Sequence, residues 1–381
     1  MLYSWAIHYC HYIVTMKLKN LYVAATSQHV GKTTSTLGLA ASFMKANINT
    51  GYCKPVGQRH IELKGSVVDK DAVLFADLLK LDIEPAIHSP VIIGKGATAK
   101  YLEDPEKYDL KKLIIHARDM LNEQHDAVIY EGTGHPGVGS VADVSNADVA
   151  KLLDAKVVMV VEGGIGNTID KLNMSMGLFR ESNVPIIGVI INKVIPDKIE
   201  MVTNYVGKWL DKKDLRLLGV VPYDNTLGYP LLWTISNSIN GTFEYYSERG
   251  FNKIENILPG SIVDPEFIKK SNDNLLVVSS RVLGKAIDRI KEISESENIE
   301  GAPLSGIILT GEGNISKVCK TYIEDYKIPV VRTQLDTYGV VIKISKLEVK
   351  IIRRTPWKIS KAIELINENV DIKEMIRLLR E

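Results

Sequence analysis

Apolar residues in the first 225 positions come in short, nearly unbroken runs: LYVAAT (21–26), GYCKPVG (51–57), the run inside HDAVIYEGTGHPG (125–137), KVVMVVE (156–162), PIIGVIIN (185–192) and RLLGVVP (216–222). Odd and even positions are apolar alike, which marks strands buried on both faces. Between the runs the apolar positions switch to helical spacing. They do so from 31 to about 46, over 69–80, over 108–124 (Leu110, Leu113, Ile114, Ala117, Leu121), and over 146–154, 167–182 and 197–212. This alternation predicts an α/β fold, with a mostly parallel sheet covered by helices on both faces.

The alternation stops after Pro222. Residues 223–261 are rich in Asn, Ser, Gly and Tyr and show no helical period, so a connector with one or two short strands is expected. A second, smaller α/β stretch follows. Its strands are expected at 274–280, 304–310 and 328–333, and its helices at 282–297, 314–326, 358–367 and 372–380. The expected divisions are an upstream extension (1–15), a first domain (16–225), a connector (226–259) and a second domain (260–381) that includes the C-terminal helices. A length of 381 residues suits two domains.

The extension is aromatic and apolar up to Val14 but lacks the basic start and small-residue cleavage site of a signal peptide, and it is too short to span a bilayer. Met16, just before the first strand, is the expected working start. His8, Cys10 and His11 have metal-ligand chemistry, but no metal site is expected there. The bulk composition, 45% hydrophobic and 24% charged, is that of a soluble globular protein. A net charge of +1 gives no field toward nucleic acid or membrane, and neither is expected as a partner. Cys10, Cys53 and Cys319 fit no zinc or redox spacing, and a reducing, cytoplasmic setting is expected.

The chemistry gathers around AATSQHVGKTTSTLGLA (24–40), a strand, a loop and a helix start carrying GKTT. In a P-loop the backbone N–H groups wrap a phosphate, and the glycine before the lysine allows close approach. Here that glycine is Gly31. Lys32 would reach the β- and γ-phosphate oxygens and Thr33 would hold Mg²⁺. The usual glycine five residues before Gly31 is replaced by Thr26. Glu131, at the end of an apolar strand and before Gly132, is the candidate second acid on the metal. Asp69 and Asp71 offer further carboxylates, or simply cap the helix after them. Lys54 lies in an apolar strand, where lysine is uncommon unless its amine meets a charge; it is expected to point into the same crevice.

Together these pieces resemble dethiobiotin synthetase and its relatives among P-loop NTPases, over residues 20–230. That family's loop also has threonine at the first glycine position, so Thr26 reads as a family trait. GYCKPVG resembles the strand whose lysine reaches the reacting phosphate, which implies Lys54. DKDA implies Asp71 rather than Asp69 as metal ligand, and YEGTG implies Glu131 as the second. GVIINKV implies Asn192 at the adenine, and GVVPYD implies that the loop from Pro222 lines the base. Lys193 lacks an Asp two residues on, so adenine is expected rather than guanine.

The expected contacts are therefore Thr26, Val30, Gly31, Lys32, Thr33, Thr34, Asn192 and Pro222 on ATP, and Thr33, Asp71 and Glu131 on Mg²⁺. Lys32 and Lys54 would be catalytic, bearing on the developing charge. The resemblance also implies a homodimer, since the synthetases pair across their active sites.

Two segments depart from the synthetases: GTGHPGVGSVADVSNADVA after the strand at 126–131, and EGGIGNTIDKLNMSMGLF (162–179), where the synthetases hold the diamine carboxylate. Both are similar instead to the synthetase-like module at the N-terminus of long phosphate acetyltransferases, which is joined to a DRTGG domain. Residues 260–345 resemble that domain, although ILTGEG stands where the naming string would be. The resemblance implies a ligand-sensing or dimer-forming module for an unknown small molecule. Candidate groups are the turn TGEGNIS (310–316) and Thr333, Asp336 and Thr337. Cys319 reads as a packed thiol. With the sequence ending at Glu381, phosphate acetyltransferase activity is not expected.

Three functions are weighed. A nucleotide-dependent regulator or orphan ATPase is preferred, because nucleotide-side residues are kept and substrate-side segments are altered. A carbamate-activating synthetase is the alternative. A cobyrinic acid diamide synthase-like amidotransferase is remote, because it needs a glutaminase cysteine and histidine. His29, His60 and His135 fall near the expected crevice, either for proton transfer or as plain exposed loop residues.

Overall fold

The computed structural model describes residues 17–58, 60–63, 65–94, 96–260 and 262–381. The expectations placed on residues 1–15, with His8, Cys10 and His11, lie outside these. The chain divides into two compact units. One comprises the described residues up to Asp224 together with Ile351–Glu381, and the other is Asn225–Lys350.

The first unit is built on a six-stranded, all-parallel sheet. Its strands are β1 (Asn20–Ala25), β2 (Thr50–Cys53), β3 (Ala127–Glu131), β4 (Ala155–Glu162), β5 (Ile186–Val194) and β6 (Leu217–Pro222). Their spatial order is β6-β5-β4-β1-β3-β2. The α/β fold and the parallel sheet are as the hydrophobic runs indicate. Tyr22, Val128, Tyr130, Val157, Met159, Val189 and Ile191 pack into one apolar layer, while Leu21, Val23, Ile129, Val158 and Ile190 are buried on the other face. Helices α1 (Lys32–Lys45), α2 (Lys70–Leu79), α3 (Leu110–Gln124), α4 (Asn146–Leu152), α5 (Gly166–Glu181) and α6 (Ile199–Asp211) connect the strands. The chain runs to one side of β1 for β2 and to the other for β4, so the carboxyl ends around β1 form the crevice where open α/β sheets place ligands. An antiparallel hairpin, His60–Leu63 with Ser66–Asp69, was not anticipated; its first strand has no buried residue, and only Val68 and Asp69 of its second are buried.

The second unit has a five-stranded sheet. Its strands are β7 (Thr242–Tyr245), β8 (Asn256–Pro259), β9 (Asn274–Ser279), β10 (Leu304–Thr310) and β11 (Val330–Thr333), ordered β7-β11-β10-β9-β8. Only β7 runs antiparallel to its neighbour. Helices α7 (Leu232–Ser238) and α10 (Thr337–Ser345) flank one face, and α8 (Leu283–Ser296) and α9 (Lys317–Asp325) the other.

Two expected boundaries differ from the structure. Residues 226–259 are not a connector but part of the second unit, supplying α7 and both edge strands. The C-terminal helices α11 (Pro356–Asn369) and α12 (Ile372–Arg380) belong to the first unit, not the second. Helix α11 lies along α1. A Cβ on Gly38 would sit 2.2 Å from Ile366 Cβ, so glycine is what lets the two helices approach. Ser42 Oγ donates to Asn367 Oδ1 at 2.7 Å, Asp371 N–H donates to Leu218 O at 2.7 Å, and Lys19 N–H donates to Leu379 O at 3.0 Å. An amphipathic stripe reports that a helix covers a core but not which core.

Ile366→Ala is expected to destabilise the first unit by about 2–5 kcal/mol. Gly38→Ala is destabilising alone, yet recovers part of the loss when combined with Ile366→Ala. Urea unfolding of the four proteins checks this coupling, and strict additivity would contradict the packing described.

Candidate functional site

Three adjacent strands deliver the candidate residues at their carboxyl ends. The loop 26–31 leaves β1, Glu131 ends β3 in register with Val23, and Lys54 follows β2. Gly31 adopts φ +101°, and a Cβ there would lie 1.9 Å from Asn192 Nδ2. Only glycine fits both demands. Asn192, buried at the end region of β5, donates its amide to Val30 O at 2.8 Å and so braces the loop. Thr26 starts the loop with a buried hydroxyl that meets no hydrogen-bond partner, and its N–H donates to Val160 O at 3.2 Å. Thr34 is buried in the first turn of α1, and Pro222 ends β6 beside Val194.

Lys54, Glu131 and Asp71 form one charged network. Lys54 is 5% exposed and its ammonium lies 2.9 Å from Glu131 Oε1 and 3.0 Å from Asp71 Oδ2; it also donates to Gly132 O at 3.3 Å. Burial alone would push the Lys54 amine down, but the carboxylates of Glu131 and Asp71 outweigh it and hold it above the ordinary lysine range. Glu131, 1% exposed, also accepts from Thr33 Oγ1 at 2.9 Å, and Tyr52 OH approaches its other oxygen at 3.4 Å. Tyr52 is held by stacking on Phe75 at 3.8 Å. Lys32 donates to Gly134 O at 2.6 Å and to Ser27 O at 3.4 Å.

The two aspartates take separate roles. Asp69 caps α2, accepting from Asp71 N–H at 2.9 Å, while Asp71 turns its carboxylate to Lys54. Burial, then the neighbouring Asp71 charge, pushes Asp69 up to about 6. Of the three histidines, His29 gives its backbone carbonyl to Lys193, His60 sits exposed on the hairpin, and His135 Nδ1 accepts from Gly137 N–H at 3.2 Å.

In the second unit, Ser316 caps α9 and Asp336 caps α10, accepting from Cys319 N–H at 3.3 Å and Gly339 N–H at 2.7 Å. Thr333 Oγ1 donates to Ile239 O at 2.8 Å, and the Thr310 and Thr337 hydroxyls stand 3.3 Å apart. These polar residues thus serve local structure, and Cys319 is buried in α9.

Sequence reading missed Tyr52, Thr133 and Asn146. Asn146 opens α4 in SNAD, which reads as nothing more than a helix start, and its side-chain partners lie 11 to 124 residues away. Among the described residues no helix is long and apolar enough to cross a membrane.

The chain belongs to the AAA_26 family, described as an AAA domain, whose pattern matches residues 19–230. It therefore carries a P-loop ATPase-like domain. It is 23% identical over 348 residues to a phosphate acetyltransferase of Pseudomonas putida, covering 88% of this chain and 48% of that protein. It is 26% identical over 215 residues to an ATP-dependent dethiobiotin synthetase of Nitrosopumilus maritimus, covering 54% of this chain and 90% of that protein. A probable cobyric acid synthase of Methanocaldococcus jannaschii is 28% identical over 233 residues, covering 55% and 46%. The chain spans about half the length of the phosphate acetyltransferases it matches.

Removing the Lys54 amine leaves two facing carboxylates without their cation. Lys54→Met should destabilise the first unit by about 3–5 kcal/mol. Adding Glu131→Gln should restore much of it. Urea unfolding checks both, and a single-mutant loss below about 1 kcal/mol would contradict a buried, mutually dependent pair.

Proposed function

We propose that this chain is a Mg-ATP-binding P-loop ATPase, a regulator or orphan ATP-dependent enzyme, whose second unit senses a small-molecule ligand or mediates dimerisation. The observation that carries the reading is the convergence of Lys32, Thr33, Lys54, Asp71 and Glu131 around the carboxyl ends of three adjacent strands, from just after β2, the end of β3 and the first turns of α1 and α2. Thr26, Val30, Gly31 and Thr34 would surround the phosphates, and Asn192 and Pro222 would stand on the base side. The buried, unpartnered Thr26 hydroxyl fits a loop built to meet a ligand.

The donor set fits Mg²⁺: two carboxylates and a hydroxyl, all hard oxygen donors. Asp71, Glu131 and Thr33 would hold the ion, which when bound would neutralise charge on the phosphate oxygens. Lys54 is kept cationic by its carboxylates and would turn toward charge developing on the transferred phosphoryl group. Lys32 would keep one N–H on the Gly134 carbonyl and turn another to phosphate oxygen. Such a site acts by positioning and electrostatics and needs no covalent enzyme intermediate.

The resemblance of residues 260–345 to a DRTGG domain supports the sensing role of the second unit. A homodimer in the cytoplasm accords with that family reading. The synthetase reading is favoured by the match over nine-tenths of the Nitrosopumilus maritimus protein. Against it stand the altered segments at 132–150 and 162–179, on the substrate side of the synthetases. The amidotransferase reading gains nothing from Cys319, which is packed inside a helix.

The test is phosphate release from Mg-ATP by the full chain, with and without 7,8-diaminononanoate plus bicarbonate. We expect slow turnover that ignores the diamine and falls about 100-fold or more in Lys32→Ala. Turnover that requires the diamine would replace this reading with the synthetase. No turnover and no nucleotide binding would end both.

A further inference from the structure

We propose that Asn146 is a positioning residue that clamps the Gly132–His135 turn and thereby sets both lysines of the candidate phosphate site; the inference rests on the Mg-ATP reading above. Asn146 is 4% exposed and opens α4 behind the site. Its side chain uses its full hydrogen-bonding capacity. Oδ1 accepts from Tyr22 OH at 2.8 Å and from Thr133 N–H at 2.9 Å. Nδ2 donates to Thr133 O at 2.9 Å and to His135 O at 2.7 Å. Thr133 N–H can only donate and its carbonyl can only accept, so the amide fits one way round. The Asn146 backbone N–H adds a bond to Pro136 O at 2.9 Å.

The clamped turn is what the two lysines hold. Lys32 donates to Gly134 O, and Lys54 donates to Gly132 O. The residues between them, and those just after, are the ones Asn146 fixes. Gly132 has no room for a side chain, because a Cβ would sit 2.3 Å from Asn146 Oδ1. The other side of the turn is tied down by Thr133 Oγ1, which donates to Val56 O. The segment that departs from the synthetases thus loops out and returns Asn146 to brace the turn from behind. A turn freed to shift by an ångström would carry both ammonium groups off their phosphate positions, while the loop backbone that would grip the nucleotide stays where it is.

The test compares wild type, Asn146→Ala and Tyr22→Phe in the full chain. Tyr22→Phe removes a buried hydroxyl partner of Asn146 but leaves every bond to the turn. Amide exchange over 132–135 in nucleotide-free protein reads the clamp directly. It should rise about tenfold or more in Asn146→Ala and stay near wild type in Tyr22→Phe. For Mg-ATP hydrolysis, kcat should fall about 10- to 100-fold in Asn146→Ala, with a smaller rise in KM from the displaced Lys32. If Asn146→Ala does not fold, Asn146→Asp, which keeps the acceptor and loses the two donated bonds, takes its place with the same outcomes. Unchanged exchange, or equal kcat losses in Asn146→Ala and Tyr22→Phe, overturns the clamp. A wild type that neither binds nor hydrolyses Mg-ATP overturns the parent reading and with it the role of the turn, whatever the exchange shows.

Discussion

A lysine ammonium buried at the end of a central sheet is the constraint on which the rest of the site depends. Lys54 has left water, and that is tolerable only because Glu131 and Asp71 meet it within hydrogen-bond distance. The three groups come from different places: the residue after β2, the last residue of β3 and the first turn of α2. Their meeting therefore fixes the relative positions of two strands and a helix. Asp69 caps α2 and so sets where Asp71 points. Thr33 joins through Glu131, tying the start of α1 to the same cluster. The charges thus specify an arrangement more than they stabilise the fold.

Backbone geometry sets the second constraint. Gly31 is forced by a left-handed conformation and by the Asn192 amide pressed against it. Gly38 is forced by a helix from the far end of the chain. In both cases glycine admits a close neighbour rather than merely a turn. The return of α11 and α12 means that the first unit is completed only after the second has been traversed, so Asn225–Lys350 is an insertion in the chain of the first.

The sheet and most of the residues that meet at the candidate site were legible because their signals are local. A parallel strand shows as an unbroken apolar run, and GKTT at a strand–loop–helix junction limits the chemistry. Lys54 stood out as a charge in an apolar strand, and Glu131 as an acid at a strand end. The choice between Asp69 and Asp71 was not visible in residue type, since either can cap a helix; side-chain direction separates them. Asn146 was illegible because its meaning lies in Tyr22 and in a turn more than ten residues away. The hairpin strands 60–63 and 66–69 were missed because only Val68 and Asp69 in them are buried, too short a run to read as a strand. The destination of the C-terminal helices was missed because amphipathicity does not name a partner.

The central claim is that the crevice around Lys32, Lys54 and Glu131 holds a magnesium nucleotide. Calorimetric titration of ATP into the full chain, with and without Mg²⁺, tests it most directly. The account predicts one site per chain, tighter with Mg²⁺ than without, and lost in Lys32→Ala. Failure to bind ATP in the presence of Mg²⁺, or binding unaffected by Lys32→Ala, would contradict it.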